Sequence, residues 1–458
     1  MKLYTVQSEG LAHNSYFLSD GLEAAVIDPR RDCKIYTRLA QKECVKIRYI
    51  FETHRNEDYV VGSTELQELT GSEICHSKQL AFKYGEHKLG DGETLKVGNL
   101  QLKTLHTPGH TDESLCYAVS DMEKSAKPMM VFSGDTLFVG SVGRTDLQGK
   151  AVQSEQAEKL YISLHEKLLP LGDDVLVYPA HGSGSVCGSG IGEQAFSTVG
   201  FEKKTNPYLN LGKQDFVKKS VATELLVPPY FAKMEQYNMN GAPILRGIAE
   251  PKPLSVDEFD VAMGEADSVV IDTRLPNAFA GSHISGSLSI WLRGTAAYPG
   301  WLLNYEQRIL LVLERRSDIK RVLKHFWRLG FDNIYGFLCK GMSEWQEQGK
   351  PISHAHTMSA TELKERRERY VVLDVREPSE WHQEGIVEGA ETIFFADLPK
   401  KADALERNRR YAVICSVGNR SSIAVSILKQ KGFTRVTNVL GGMTAWERLG
   451  YPTTMIEG

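Results

Sequence analysis

The stretch "VVIDTRLP" at residues 269 to 276 returns as "VVLDVREP" at 371 to 378, an offset of 102 residues. "GF" at 330 recurs at 432 with the same offset, and "GMSEWQEQGKP" (341 to 351) answers "GMTAWERLGYP" (442 to 452) one residue closer. Repetition on this scale constrains the fold more than any single motif, because each copy must close its own core and the two must follow one another. Each copy runs from an apolar strand through a helical stretch to a further apolar run, a pattern that predicts a parallel α/β sheet. The chain has 458 residues, and at roughly 150 residues per domain there is room for one more domain ahead of the repeat.

That leading part alternates short β-rich runs ("EAAVIDP", "IRYIFETH", "LQLKTLHTPGH", "PMMVFSGDTLF", "DVLVYPAHG") with polar turns and helical segments such as "SEQAEKLYISLHEKLL". Polar clusters fall at the strand ends, where a β-scaffold presents chemistry. Between 205 and 252, "NPYLNLG", "VPPYF" and "EPKPLS" concentrate proline and polar residues around a possible helix. The expected division is 1–205 for the first domain, 206–253 for its end and a linker, and 254–352 and 353–458 for the two copies.

Composition narrows the function. A net charge of −4 offers no basic stripe for a phosphate backbone, so no nucleic-acid partner is expected. No apolar run reaches the roughly 18 residues of a membrane span, and "MKLYTVQSEG" lacks a signal-peptide core, so a cytoplasmic protein is expected. The seven cysteines (33, 44, 75, 116, 187, 339 and 415) are scattered and lack C-x-x-C spacing, which indicates neither a disulfide framework nor a zinc knuckle.

Four fragments of the first domain supply metal-ligand types: His54 and Asp58 in "THRNEDY", His110 in "TPGHT", Asp135 in "SGDTLF" and His181 in "YPAHG". A single loop histidine is more often a hydrogen-bonded surface residue than a ligand. Their order, and the Gly-Asp and Gly-His turns that carry them, reverse that weighting. About residues 1 to 200 resemble the metallo-β-lactamase superfamily, whose binuclear hydrolases, glyoxalase II among them, write His-x-His-x-Asp-His. Here Asn56 and Tyr59 stand at two of the histidines, which leaves Asp58 and His181 for a second metal and His54, His110 and Asp135 for the first. Two imidazoles and one carboxylate with open positions suit mononuclear Fe(II), which must take a substrate and O2 side by side. Zinc hydrolysis would favour three nitrogens or a bridged pair.

The same three ligands serve the persulfide dioxygenases of that superfamily. "GRTDLQ" (143 to 148) and the following "LYISLHEKLLPLGDDVLVYPAHG" also resemble them. By that resemblance Arg144 lies beside a thiol-substrate pocket; its other reading is an ion pair with Asp146. Asp58 and His181 are then expected to orient ligands or hold water. Cys187, in "HGSGSVCGSG", reads as a structural cysteine or as an accessory thiol that exchanges sulfur with substrate.

In the second copy, "YAVICSVGNRSSIAVSILKQKG" (411 to 432) reads as a strand, a tight loop and a helix opening at Ser421. Cys415 would face loop N–H groups and the positive helix end, with Arg420 closing the ring, surroundings that stabilise an anionic sulfur. Residues 355 to 456 resemble rhodanese sulfurtransferases in "VVLDVREPSEW", "CSVGNR" and "GGMTAW", with Gly385 in "EGIVEGA" departing from the usual His. The resemblance makes Cys415 and Arg420 catalytic and puts Ser416, Gly418 and Asn419 around the substrate. Cysteine phosphatases and arsenate reductases are the runner-up, with longer loops. In the first copy the offset places Leu313 at the Cys415 position and Asp318 at the Arg420 position, so an inactive rhodanese fold is expected.

Together the resemblances imply an α/β multidomain chain, an αββα metallo-β-lactamase fold followed by two rhodanese folds with parallel sheets. One Fe(II) per chain would support oxidation of a low-molecular-weight thiol persulfide by O2 to sulfite and thiol, and Cys415 would form or use thiosulfate. The middle copy would space the outer domains or build the interface of a homo-oligomer. The alternatives are a glyoxalase II-like binuclear thioester hydrolase fused to a rhodanese, and a non-catalytic persulfide carrier or sensor.

Overall fold

A computed structural model of the chain describes residues 1–223 and 225–456. Met1–Ile248 together with Trp327–Gly330 form one compact unit, and the remainder from Ala249 onward forms a second.

The first unit is built on two six-stranded sheets. Strands Lys2–Ser8, His13–Asp20, Glu23–Ile27, Lys46–Phe51, Glu73–Ser77 and His87–Leu89 lie side by side in chain order. The second sheet is also in chain order, from Thr94–Val97 through Leu100–His106, Leu115–Asp121, Met130–Gly134 and Leu176–Pro179 to Ser197–Thr198. Strand alternation assigns the layers, since successive side chains point to opposite faces. Tyr16 and Leu18 join Tyr117 and Phe132 of the other sheet in a core between the sheets. Phe17, between them in sequence, packs on the outer face with Tyr36 of helix Lys34–Glu43. The outer face of the second sheet packs Val131 and Val177 against Ala157 and Leu160 of helix Gln153–Ile162 and Phe216 of helix Lys213–Ala222. The result is the expected αββα layering.

The stretch from 206 to 253, expected as a domain end and linker, carries two ten-residue helices, Lys213–Ala222 and Phe231–Asn240. Both bury side chains in the first unit, Phe216 from one and Met234 and Asn238 from the other. Proline and polar residues around them signalled only the connections.

The second unit holds the two copies. The first orders its strands Lys252–Leu254, Ile334–Leu338, Arg308–Val312, Ser268–Asp272, Leu288–Ser289, and the second His356–Ser359, Val436–Leu440, Tyr411–Ile414, Val371–Asp374, Glu391–Thr392. Each of these two sheets is parallel throughout. The copies meet where Ser289 of the first bonds Ser422 and Ser426 of the second, both on helix Asn419–Gln430. Trp301 also packs edge-on to Phe394. Among the described residues no helix is long and apolar enough to cross a membrane.

Each copy buries the same ion pair just past its second strand. Arg376 forks onto Asp374 and also bonds Glu384, while Arg274 forks onto Asp272. Asp374 and Arg376 are fully buried, so removing the cation strands a carboxylate in a dry core. Arg376→Met should therefore cost about 3–5 kcal/mol. Hydrogen–deuterium exchange should show it as loss of protection in peptides of the second copy, with those of the two-sheet unit unchanged.

Candidate functional site

Every candidate ligand of the first unit follows a strand end. His54 and Asp58 leave Lys46–Phe51, His110 leaves Leu100–His106, Asp135 leaves Met130–Gly134, and His181 leaves Leu176–Pro179. The approach of the loops is close: Gly134 has φ +52°, and a Cβ there would stand 2.8 Å from Thr53.

The imidazoles are oriented from behind. Thr53 donates its hydroxyl to Asp28 (2.7 Å) and so accepts from His54 Nδ1 at 2.9 Å. His110 Nδ1 donates to the Arg144 carbonyl at 2.9 Å. Both rings therefore carry a proton on Nδ1 and turn Nε2 inward, the orientation of metal-bound histidines; burial disfavours charge on His110, but Glu57 and Asp135 override it and raise that ring to about 9, so a metal would displace a proton from its Nε2. Those two Nε2 atoms are buried and have no hydrogen-bond partner among the described residues. Asp135 Oδ2 lies 3.7 Å from His54 Nε2 and 3.5 Å from His110 Nε2. With bonds of about 2.0–2.2 Å, donors around one ion stand roughly 3–3.5 Å apart, so the set fits a divalent metal.

Sequence reasoning missed a further donor. Glu57 Oε2 lies 3.5 Å from His110 Nε2 and 3.9 Å from His54 Nε2, and neither of its oxygens has a hydrogen-bond partner. Burial alone would raise its carboxyl; the facing imidazoles of His110 and His54 override it and hold the group down, to about 2. Burial also opposes the charge of Asp135, but His181 and His54 keep it below the usual carboxylate range.

His181 lies behind Asp135. Its Nδ1 bonds both Asp135 oxygens (2.7 and 3.0 Å), and its Nε2 is 3.0 Å from Asp58 Oδ2. The Cys187 sulfur lies within 4.8 Å of donor atoms of Asp58 and His181, which makes these three a second converging group. Burial, then the nearby carboxylates Asp58, Asp135 and Glu57, push the Cys187 thiol well up, so it stays a neutral S–H packed on Phe138 and Ile191. Tyr59 stacks on His13 at 3.9 Å with its hydroxyl unpartnered.

A second missed residue is Asn238, on helix Phe231–Asn240. Its amide donates to the Asn56 and Tyr59 carbonyls and accepts from the Val61 N–H. Three bonds from one fully buried side chain thus fix the ligand loop. Arg144, read from sequence as either pocket-lining or paired, forks onto Asp146 (2.6 and 2.7 Å) and donates to the carbonyls of Val186, Leu225 and Leu226.

In the second copy, Cys415 is buried at the end of Tyr411–Ile414. The Gly418 N–H donates to its sulfur (3.1 Å), and Ser421 Oγ lies 3.3 Å away. The "GGMT" segment serves the loop from behind: the N–H groups of Met443 and Thr444 donate to the carbonyls of Cys415 and Ser416. A Cβ on Gly442 would stand 2.0 Å from the Cys415 carbonyl oxygen. With its carbonyls turned back, the loop leaves the Gly418 N–H for the sulfur, a contact that favours an anion. The helix opens at Asn419, two residues earlier than expected. Arg420 forks onto Glu380 and bonds Ser416 Oγ, which also donates to Glu380. In the first copy Leu313 is buried at the matching place, and Cys339 lies after strand Ile334–Leu338, away from that loop.

Comparison with known proteins agrees with this layout. The chain matches the family described as the metallo-beta-lactamase superfamily over residues 9–181 and the rhodanese-like domain over 255–348 and 359–449. It is 32% identical over 213 residues to the mitochondrial persulfide dioxygenase ETHE1 of Homo sapiens, covering 44% of this chain and 74% of that one. It is 30% identical over 228 residues to a probable hydroxyacylglutathione hydrolase of Schizosaccharomyces pombe, covering 43% and 82%. A solved metallo-beta-lactamase from Staphylococcus aureus aligns over 74% of this chain and 98% of its own at 29% identity, with a TM-score of 0.66. The chain belongs to the metallo-beta-lactamase superfamily, in the group that holds the persulfide dioxygenases and hydroxyacylglutathione hydrolases, and carries two rhodanese-like domains behind its metal-binding domain.

Proposed function

We propose that the first unit holds one iron ion and oxidises low-molecular-weight thiol persulfides, and that Cys415 of the last domain carries sulfane sulfur. The observation that carries the single-ion reading is the poverty of the second group: His181 Nδ1 is bonded to Asp135, which leaves its Nε2 with Asp58 as the oxygen and nitrogen donors there, and Asn56 and Tyr59 stand where two further histidines would be. Likeness to mammalian persulfide dioxygenases and the fusion to a cysteine loop built for anionic sulfur support the substrate class.

His54, His110 and Asp135 hold the metal, which when bound supplies the redox chemistry with O2. Thr53 and the Arg144 carbonyl keep a proton on Nδ1 of both imidazoles, and Asn238 fixes the ligand loop. A cavity of about 470 Å³ lined by His13, Asn14, Gly182 and Glu193 has room for a small thiol. Overall, RSSH, O2 and water give RSH and sulfurous acid, which ionises to sulfite. At the second site sulfite attacks the outer sulfur of the Cys415 persulfide; the S–S bond breaks, thiosulfate leaves, and the Cys415 thiolate departs onto the Gly418 N–H.

A binuclear thioester hydrolase is the second reading, favoured by the convergence of Asp58, His181 and Cys187 and by likeness to hydroxyacylglutathione hydrolases. In this reading His181 gives up its link to Asp58 and both groups bind an ion. One comparison separates the two: oxygen uptake on a panel of thiol persulfides against hydrolysis of a glutathione thioester, by the same anaerobically purified chain. Oxygen uptake with sulfite release and no thioesterase supports the dioxygenase; thioesterase without oxygen uptake supports the hydrolase.

Asp58→Ala should lower oxygen uptake about 10- to 100-fold, as loss of a group that orients a ligand does. Cys415→Ser should leave oxygen uptake intact and shift the product from thiosulfate to sulfite, as followed by thiol labelling and chromatography. An unchanged product ratio would mean that Cys415 acts upstream, making the dioxygenase's substrate.

A further inference from the structure

Glu57 stands outside the three ligands assigned above, yet it is buried, and among the described residues neither of its carboxylate oxygens has a hydrogen-bond partner. A dry carboxylate in that state is costly unless a cation meets it. The nearest guanidinium in sequence, Arg55, is spent on Glu235 at 3.0 Å. What Glu57 does face is the pair of inward-turned Nε2 atoms, at 3.5 and 3.9 Å.

The loop accounts for its direction. Asn56, at the position where the superfamily writes its second histidine, has φ +52° and folds its amide back onto the His54 carbonyl (3.0 Å). Asparagine tolerates that left-handed backbone better than most residues. Its own carbonyl is pinned by Asn238 at 2.7 Å. The residue at the histidine position thus builds the turn, and the next residue reaches the site.

We propose that Glu57 is a metal ligand, its carboxylate filling the coordination position left open by Asn56, so that the ion is held by His54, His110, Asp135 and Glu57. This rests on the reading that these histidines bind a metal. Charge supports it: with both imidazoles neutral, two carboxylates balance a divalent ion, whereas a three-ligand site would leave Glu57 as an unpaired anion beside it. Two oxygen and two nitrogen donors also favour Fe(II) or Mn(II) over thiolate-seeking ions.

The test uses the full-length chain stripped of metal and titrated with Co(II) against a competing chelator, with the visible Co(II) spectrum as a report on coordination. Glu57→Gln should weaken Co(II) at least about 100-fold, the upper end of what loss of an orienting partner costs, and should change the spectrum; Glu57→Asp should recover part of both. Unchanged affinity and spectrum in Glu57→Gln, with His54→Ala losing the metal, would overturn the assignment of Glu57 alone. Unchanged Co(II) binding in both variants would overturn it together with the metal-site reading.

Discussion

The first unit is organised around buried polar atoms that converge without partners. Among the described residues, His54 Nε2, His110 Nε2 and both oxygens of Glu57 have no hydrogen-bond partner, nor do the Asp58 oxygens and His181 Nε2 beside them, and Asp135 turns one oxygen toward the first group. Buried polar groups are normally satisfied, so such a concentration has to be paired with a cation and held open against collapse. The surrounding structure does the holding. Asp28 fixes Thr53 and Thr53 fixes His54, the Arg144 carbonyl fixes His110, and His181 fixes Asp135. Asn238 ties down the loop between 56 and 61. Arg144 contributes through its backbone, while its guanidinium, bound to Asp146 and three carbonyls, anchors the neighbouring loops.

The last domain poses the opposite electrostatic problem. There the loop carbonyls are bonded away by the N–H groups of Met443 and Thr444, and the Gly418 N–H is left for the Cys415 sulfur. One site gathers buried carboxylates and imidazoles that a cation would complete, and the other offers a backbone N–H, from Gly418, to a sulfur. The first copy keeps the sheet and the buried Asp-Arg pair but has Leu313 where the sulfur would be. It contacts the second copy there: Ser289 bonds Ser422 and Ser426 on the helix that begins at the Cys415 loop, and residues Ser421 to Leu428 of that helix are all buried.

Much of this was legible in the sequence because periodicity and local motifs carry it. The strands Ser268–Asp272, Arg308–Val312 and Ile334–Leu338 recur close to the 102-residue offset, and His54, His110 and Asp135 fall after strands as their flanking turns implied. What escaped depends on side-chain direction or on distant partners. Glu57 lies inside the motif, but its orientation follows from the left-handed backbone of Asn56, which the sequence does not mark. Asn238 lies about 180 residues from the loop it holds, in a stretch where the sequence marked a possible helix but not what it would touch. Arg420, expected to close the ring around Cys415, forks onto Glu380, 40 residues earlier; the carboxylate that claims it comes from another helix.

The central claim is that His54, His110, Asp135 and Glu57 surround a single ion whose ligands are nitrogen and oxygen only. X-ray absorption at the iron edge of the anaerobically loaded chain tests it most directly. The account predicts a shell of light donors at about 2.0–2.2 Å, with no sulfur scatterer and no second metal. A metal–metal vector, or a sulfur donor supplied by Cys187, would contradict it.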